Sequence, residues 1–471
     1  MSFKLIYATV LTLLFIGCGS DNNRVDSGTY LGGEIVNPTS NYIILSKNDQ
    51  FIDSITLDQN NSFSYKFKDF KEGLYKILHN EQQLIYLEEG DSLLMRVNTF
   101  EFDETLTFSG YGEAENNLLV QFFLQNEQEN DLMIKGDIYQ EDPKTFNQNI
   151  LKLKQERELL LTNFLSKHKV SAEFERIANA IIKYDFCARK EVYPTSHFGN
   201  DRLKYMDSLS ADFYDCRKEA DFNDPSLLGL FSYQRFLLNY FNHAAYTEYY
   251  KSEPYDPQSF THNLFKLRLI DSKVKNDSVE SFLLTRTIKN YLANSNDKKG
   301  GETLYDLYME RIASVKDKKE IKALYNANKN IETGKRIPDE QIVTFKGDTV
   351  ELRSLIQKPT FVFFWSTSRK SQAKRSQSLA QSLIKKYPEY TYLAINVDDN
   401  YDTWTSTAKR YNFDTSKQVQ FADNYLEISK DLAINSLLKT FILDRKGFII
   451  NAHANIFSST FENELLEGLN N

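Results

Sequence analysis

The sequence predicts a mixed α+β chain of several domains: a β-rich N-terminal part, a central helical part and a C-terminal α/β part. Three observations carry this reading. From about Gly28 to Phe108 apolar and polar residues alternate in short runs broken by turn formers, the period-two pattern of half-buried strands. Between about Gly112 and Ile337 the period lengthens to that of amphipathic helices, with few glycines or prolines inside the runs. From Pro338 onward apolar strand-like runs alternate with helical ones, which implies a central sheet covered on both faces. A chain of 471 residues, 41% of them hydrophobic, has room for roughly two to four domains with cores of their own.

The β-rich part reads as strands at Tyr30–Val36, Tyr42–Leu45, Phe51–Leu57, Phe63–Phe67, Gly73–Leu78, Leu84–Leu87 and Leu93–Val97. Asp58-Gln59-Asn60-Asn61 and Glu89-Gly90-Asp91-Ser92 read as hairpin turns between them, since Asn and Gly tolerate positive φ. The clearest helical runs are Leu118–Leu124, Leu151–Leu165, Phe174–Phe186, Leu227–Phe241 and Val279–Leu292, with Pro194, Pro225, Pro254 and Pro257 expected in the connections. In the last part the order is Ile342–Phe345, Thr349–Leu352, the buried strand Thr360–Trp365, a helix from about Ser371 to Tyr387, strand Tyr392–Val397, a helix near Tyr401–Tyr411, and the pair Thr440–Asp444 and Phe448–Ala452 around the turn Arg445-Lys446-Gly447.

At the N-terminus Lys4 heads an apolar run from Leu5 to Ile16 that ends Leu14-Phe15-Ile16-Gly17-Cys18. This resembles a bacterial lipoprotein signal and lipobox, which implies acylation of Cys18 and cleavage before it. The run is short for a transmembrane helix, the competing reading. The resemblance implies an outer-membrane location, with the leaflet open, and contact with the membrane through the N-terminal lipid. The expected divisions are a signal peptide at 1–17, a lipidated tether at 18–27, a β-domain at 28–111, a helical domain at 112–337 and an α/β domain at 338–471. A net charge of −8 with no basic domain argues against nucleic acid as a partner.

Two further resemblances follow from motifs. The Gly-led first strand, the Leu-Asp-x-Asn-x-Ser-Phe turn, Gly-Leu-Tyr and Glu-Gly-Asp-Ser-Leu together are similar to the small β-sandwich domain that often precedes thioredoxin-like domains in bacterial lipoproteins. Phe361-Val362-Phe363-Phe364-Trp365 followed by Ser366 to Gln372 resembles the active-site entry of extracytoplasmic thioredoxin-like oxidoreductases of the thiol-disulfide and alkyl hydroperoxide reductase type, in which an apolar strand runs into a Trp-Cys-x-x-Cys turn. The fold implied for the last part, about 130 residues and so one domain, is therefore thioredoxin-like. Aligned from Phe364-Trp365, however, Arg369 and Gln372 stand at the two cysteine positions, and Leu438 stands where the family carries its cis-proline, before Lys439-Thr440-Phe441-Ile442-Leu443-Asp444. Neither a guanidinium nor an amide attacks a disulfide. The expectation is a redox-inactive module that binds or assembles with another envelope protein, the alternative being a thiol-disulfide oxidoreductase or peroxiredoxin-like enzyme.

Other chemistry is sparse. Ser368 and Ser371 share the CxxC spacing but lack a base nearby in sequence, and a serine needs one to become a nucleophile; His453 could approach only through the fold. Arg369, Lys370, Lys374 and Arg375 cluster at a helix start, which suits an anion or acidic partner or a solvated helix face. Asp398, Asp399 and Asp402 lack the pattern of a calcium loop and are expected to cap the next helix. The six histidines have no ligand spacing, so neither metal nor other cofactor is expected. Cys187 and Cys216 are either a disulfide or two separate buried thiols, and their apolar and acidic neighbours in sequence oppose thiolate formation. The aromatic concentration Tyr233, Phe236, Tyr240, Phe241, Tyr246, Tyr249 and Tyr250 reads as core or as a platform for carbohydrate.

Overall fold

The computed structural model describes residues 28–470 except 49, 80, 200–207, 250–255, 257 and 399. Cys18 and the whole signal and tether lie outside the described residues, as do Tyr250, Pro254, Pro257, Asp399 and the side chain of Tyr249. The chain divides into two compact units, the described part of Met1–Leu132 with Arg157–Asn179, and Met133–Glu156 with Ala180–Asn471. The helices between 112 and 337 are thus shared between the units.

In the first unit eight strands form two four-stranded sheets. The strands are β1 (Tyr30–Val36), β2 (Tyr42–Lys47), β3 (Gln50–Thr56), β4 (Ser62–Lys66), β5 (Gly73–His79), β6 (Glu81–Leu87), β7 (Ser92–Asn98) and, after the short helix α1 (Phe102–Thr105), β8 (Thr107–Gly110). The sheet orders are β4-β1-β7-β8 and β3-β2-β5-β6. One core, including Leu31, Ile43, Ile77, Ile85, Met95 and Phe108, draws on both sheets, so the alternation in the sequence marks the inner faces of a sandwich. The two turns expected as hairpins behave differently. Asp58–Asn61 joins β3 to β4 and Glu89–Ser92 joins β6 to β7, and in each case the two strands belong to different sheets. The turn chemistry itself is as expected, with Asn61 at φ 58 and Gly90 at φ 81 and with the Asp58 carboxylate accepting the Asn60 and Ser62 N–H groups at 2.8 Å. A turn sequence specifies a reversal of the chain, whereas burial of the strand faces decides the pairing partner. Gly33 is obligatory for another reason: at φ 153 a Cβ there would sit 2.0 Å from the Met95 carbonyl oxygen, across the β1–β7 pair.

Helix α2 (Glu113–Lys135) closes the open edges of this sandwich with two consecutive asparagines. Asn116, fully buried, accepts the Tyr86 N–H and donates to the Tyr86 carbonyl, both at 2.8 Å, on edge strand β6. Asn117 makes the same pair of bonds to Phe108 at 3.0 Å, on edge strand β8 of the other sheet. A side-chain amide here completes the ladder that each edge strand lacks. Farther along, the Glu129 carboxylate in α2 receives Arg157 from α3 (Pro143–Leu165) through Nε at 2.9 Å and Nη2 at 2.5 Å, both side chains being nearly inaccessible.

The second unit contains the rest of α3, most of α4 (Ala172–Phe198), and α5 (Phe231–Tyr249), α6 (Phe260–Lys273), α7 (Asp277–Asn294), α8 (Lys298–Arg311) and α9 (Val315–Asn330), followed by the C-terminal sheet. Pro194, expected in a connection, lies inside α4. It falls in the last turns of that helix, where breaking the ladder costs least. Pro225 opens a 3-10 turn, Pro225–Gly229, capped by Asp224. Tyr233, Phe236, Tyr240, Phe241 and Tyr246 are buried, and Tyr184 and Phe222 pack against this group. These rings are core and present no platform for carbohydrate.

The C-terminal sheet has strands β9 (Gln341–Thr344), β10 (Thr349–Glu351), β11 (Thr360–Trp365), β12 (Thr391–Asn396), β13 (Gln418–Phe421), β14 (Lys439–Leu443) and β15 (Ile449–Asn455) in the order β10-β9-β13-β12-β11-β14-β15. β11, β12 and β13 are parallel, and β9, β14 and β15 run antiparallel to their neighbours. This mixed sheet, with a helix leaving the end of its central strand, is the arrangement that the resemblance to thioredoxin-like domains implies. Every residue of β11 is buried. Val362 and Phe364 face a core shared with Ala327 and Ile428, and Phe361, Phe363 and Trp365 face one built with Ala373, Ala380, Trp404 and Phe461. No helix among the described residues is long and apolar enough to cross a membrane.

We expect Asn116→Ala to lower stability by about 2–3 kcal/mol, because two backbone groups of β6 lose their buried partner. Asn117→Ala, at a half-buried position, should cost less; urea unfolding of the two variants against wild type checks the order.

Candidate functional site

The site to test is the mouth of the C-terminal sheet, where β11 ends at Trp365 and α10 (Lys370–Lys386) begins. Parallel strands β11 and β12 end side by side, and the chain leaving β11 must find partners for polar groups that no further strand supplies. Asp398, just past β12, supplies them. Its carboxylate accepts the Ser366 hydroxyl at 2.6 Å, the Thr367 N–H at 2.6 Å and the Asn396 amide at 3.1 Å. Ser366 in turn accepts the Ser368 N–H at 3.2 Å, and the two hydroxyls lie 2.8 Å apart. Asn396 is fixed from behind by the Gln420 amide of β13 at 3.2 Å and by the Asp398 N–H at 3.1 Å. Asp398 therefore clasps the loop. The expectation that it caps the next helix fails, since α11 (Tyr401–Arg410) is capped by Asn400, which accepts the Thr403 N–H at 2.8 Å. Asp402 lies in its first turn.

The two positions that align with the cysteines of the resembling enzymes are occupied as follows. Arg369 is exposed at the N-cap of α10 and makes no capping bond with its side chain. Gln372 is half-buried, and its amide nitrogen contacts the Phe364 carbonyl at 3.2 Å, the Ser376 hydroxyl at 3.0 Å and the Leu437 carbonyl at 3.4 Å. One glutamine thus ties the end of β11, the first turn of α10 and the segment before β14, the three pieces that meet at this mouth. Leu438, at the position of the family's proline, is 44% exposed, and no cis peptide bond occurs among the described residues. Ser371 is exposed on α10 and Ser368 sits in the loop.

The basic cluster splits. The Lys374 ammonium lies 4.1 Å from the centre of the Tyr411 ring and the Arg375 guanidinium 4.9 Å from that of Phe457, so both rest on aromatic faces. Arg369 is close enough to Tyr425 to oppose the rise that burial imposes on that phenol. All four cations are exposed, with Arg369 and Lys370 at the very start of α10.

Just behind Leu438 lies a residue the sequence reading passed over. Lys439 is buried, its Nζ donates to the Ala433 carbonyl at 2.9 Å, and burial pulls its pKa down to about 7. His453, in the neighbouring strand, has Nδ1 at 2.8 Å from the Ala293 carbonyl; burial first and Lys439 second lower its pKa to about 4. It is a half-buried, hydrogen-bonded histidine, and its partner is a backbone carbonyl rather than either serine. A polar residue at the end of an apolar run, as in Leu393-Ala394-Ile395-Asn396, or a lysine opening one, as in Lys439-Thr440-Phe441, was the available signal for this network. No group of three or more His, Cys, Asp and Glu residues is placed to hold a metal ion among the described residues.

Cys187 and Cys216 are free thiols away from this mouth, Cys187 on α4 and Cys216 in the 3-10 turn Asp215–Glu219. The core around Trp365 contains neither. The two thiols are hydrogen-bonded to each other, which with burial drives the Cys187 pKa up. Cys216 moves the other way: the bond from Cys187 holds its pKa down, helped by Lys190 and Arg217. The neighbours in sequence mislead for Cys216 because its main influence, Cys187, arrives only through the fold, and it outweighs burial and Glu191, which push the other way.

No family model matches the chain, and no curated protein matches it. Among solved structures, the thioredoxin domain of a thiol-disulfide oxidoreductase from Bacteroides vulgatus is similar at 18% identity and a TM-score of 0.26, covering 30% of this chain and 98% of that one. A thiol-disulfide oxidoreductase from Bacteroides fragilis is similar at 20% identity and a TM-score of 0.25, covering 29% and 99%. A thiol:disulfide interchange protein from a Bacteroides species gives 15% identity and a TM-score of 0.25, covering 30% and 93%.

Two outcomes test the mouth. Asp398→Ala should remove the acceptor of the Thr367 N–H, so that this amide exchanges with deuterium far faster than in wild type while the amides of β11 remain protected. Lys439→Met should stabilise the protein by an amount that depends on pH. The unfolded lysine keeps its proton up to about 10.5 and the folded one only to about 7, so wild-type stability rises with pH across that window. The gain from Lys439→Met should be full below pH 7, on the order of 3–5 kcal/mol, and should fade toward pH 10.5; thermal unfolding across this range checks it.

Proposed function

We propose that this chain is a lipid-anchored protein of the bacterial outer membrane, facing either the periplasm or the cell surface, whose C-terminal thioredoxin-like domain binds or assembles with another envelope protein and does not exchange disulfides. The observation that carries the proposal is the pair Arg369 and Gln372 at the positions where the resembling enzymes have sulfur. Gln372 does not merely omit a thiol; its amide is committed to holding three chain segments together, which is a structural task. The Asp398 clasp likewise spends the loop's polar groups on one another. The serines there lack a base, and a lone hydroxyl bonded to a carboxylate does not make a hydrolase. Lipidation of Cys18 would confine the chain to a surface and raise its effective concentration toward a partner fixed in the same membrane. The exposed pair Arg369 and Lys370, at the start of a helix whose N–H groups already favour anions, suits an acidic surface on that partner.

The test is capture from gently solubilised membranes. A defined partner should copurify in fixed stoichiometry with the wild-type chain and be lost from the Arg369→Glu, Lys370→Glu double variant, while insulin reduction by the same preparation stays at background. Recovery of the wild-type chain alone would count against assembly. Robust turnover that disappears in Cys187→Ser would replace the proposal with an oxidoreductase.

A further inference from the structure

Away from the mouth, one face of α4 carries a set of side chains that the binding proposal does not use. Lys183, Cys187, Lys190 and Glu191 are spaced to share that face, and a single stretch of chain, Phe213 to Asp221, runs antiparallel along it. The Lys190 ammonium lies 5.1 Å from the centre of the Phe213 ring. Glu191, buried, receives Arg217 through Nε and Nη2, each at 2.6 Å. The Lys183 ammonium donates to the Glu219 carbonyl, and the Tyr184 hydroxyl accepts the Asp221 N–H at 3.1 Å. These contacts bracket Cys187 on the helix and Cys216 on the facing turn, so the register that seats Arg217 on Glu191 also brings the two sulfurs together. Cys187 is fully buried, whereas Cys216 is only partly so.

We propose that Cys187 and Cys216 form a dithiol site that closes to a disulfide by exchange with a small-molecule disulfide, Cys216 attacking and Cys187 resolving. The thiolate of Cys216 attacks one sulfur of the reagent, giving a mixed disulfide and releasing one thiolate. Cys187 then gives up its proton and attacks the Cys216 sulfur, releasing the second. Two protein thiols are oxidised by two electrons, the reagent is reduced to two thiols, and the protein's two protons end on those thiols. Exposure assigns the order, since a reagent reaches Cys216 and not Cys187. Electrostatics agrees with it: Cys187 first, then Lys190 and Arg217, hold the Cys216 pKa down against burial and Glu191, and the attacking sulfur must be the ionised one. The disulfide would fasten the 3-10 turn to α4 covalently where the ion pair already fastens it, and it would not involve Trp365 or its loop.

Full-length protein is equilibrated with graded ratios of oxidised to reduced glutathione, quenched in acid and mapped by mass spectrometry. The expected product is a peptide pair joining Cys187 to Cys216 that a reductant separates, with glutathione on Cys216 appearing before it in the time course. In Cys187→Ser glutathione should stay trapped on Cys216, and in Cys216→Ser Cys187 should remain a free thiol. Absence of the joined pair at every ratio, linkage of either cysteine to Cys18 in its place, or glutathione on Cys187 ahead of Cys216 overturns the proposal. The wild-type time course decides attack order even if a serine variant does not fold.

Discussion

Strand β11 is buried on both faces and paired on both edges, and this constrains everything at the end of the sheet. A strand so enclosed cannot fray into solvent, so the chain that leaves it must turn sharply and satisfy its polar groups at once. In a thiol enzyme that turn carries the reactive groups and needs them accessible. Here Asp398 takes the hydroxyl and N–H of the turn, and Gln372 takes carbonyls from the strand and from the segment before β14. The same architecture that would present a nucleophile is closed by internal hydrogen bonds.

Much of the fold was legible because it rests on periodicity. The strands of the sandwich and the central strand of the last sheet emerge from alternation and from a continuous apolar run, and their bounds fall within a few residues of those observed. The strands missed are those that carry little apolar pattern. β13, Gln-Val-Gln-Phe, is buried throughout, yet two of its four residues are glutamines paired to Gln377 and Asn396. No hydrophobic pattern could reveal it. β8 is short, its central Phe108 is buried, and its outer edge is completed by Asn117, a side chain from a helix. The two turns between sheets were legible as turns but not as crossings, because partner choice is a property of the assembled core.

The site followed the same division. That Arg369 and Gln372 align with the cysteines of the resembling enzymes is legible in the sequence, since it needs only the register set by Phe364-Trp365. What replaces the sulfur is not, because the partners of Gln372 come from residues 364, 376 and 437, and only the fold brings the last of these near. The basic cluster shows the limit from the other side. Four cations adjacent in sequence suggested one patch, and all four are exposed, but helical geometry lays Lys374 and Arg375 over separate aromatic rings.

Lys439 makes the same point energetically. A lysine behind the mouth, held by one carbonyl and otherwise desolvated, is an expense that a stable core would not choose. A nucleophilic amine would give it a purpose, but its nitrogen is buried and donates to the Ala433 carbonyl rather than meeting a cleft. The cost is better understood through its neighbours. Lys439 opens β14 directly after exposed Leu438, in the segment whose Leu437 carbonyl faces Gln372, and its ammonium lies 5.2 Å from the centre of the Phe441 ring while it ties down the Ala433 carbonyl. The loop before β14 is thereby fixed by side chains on both flanks, Gln372 on one and Lys439 on the other.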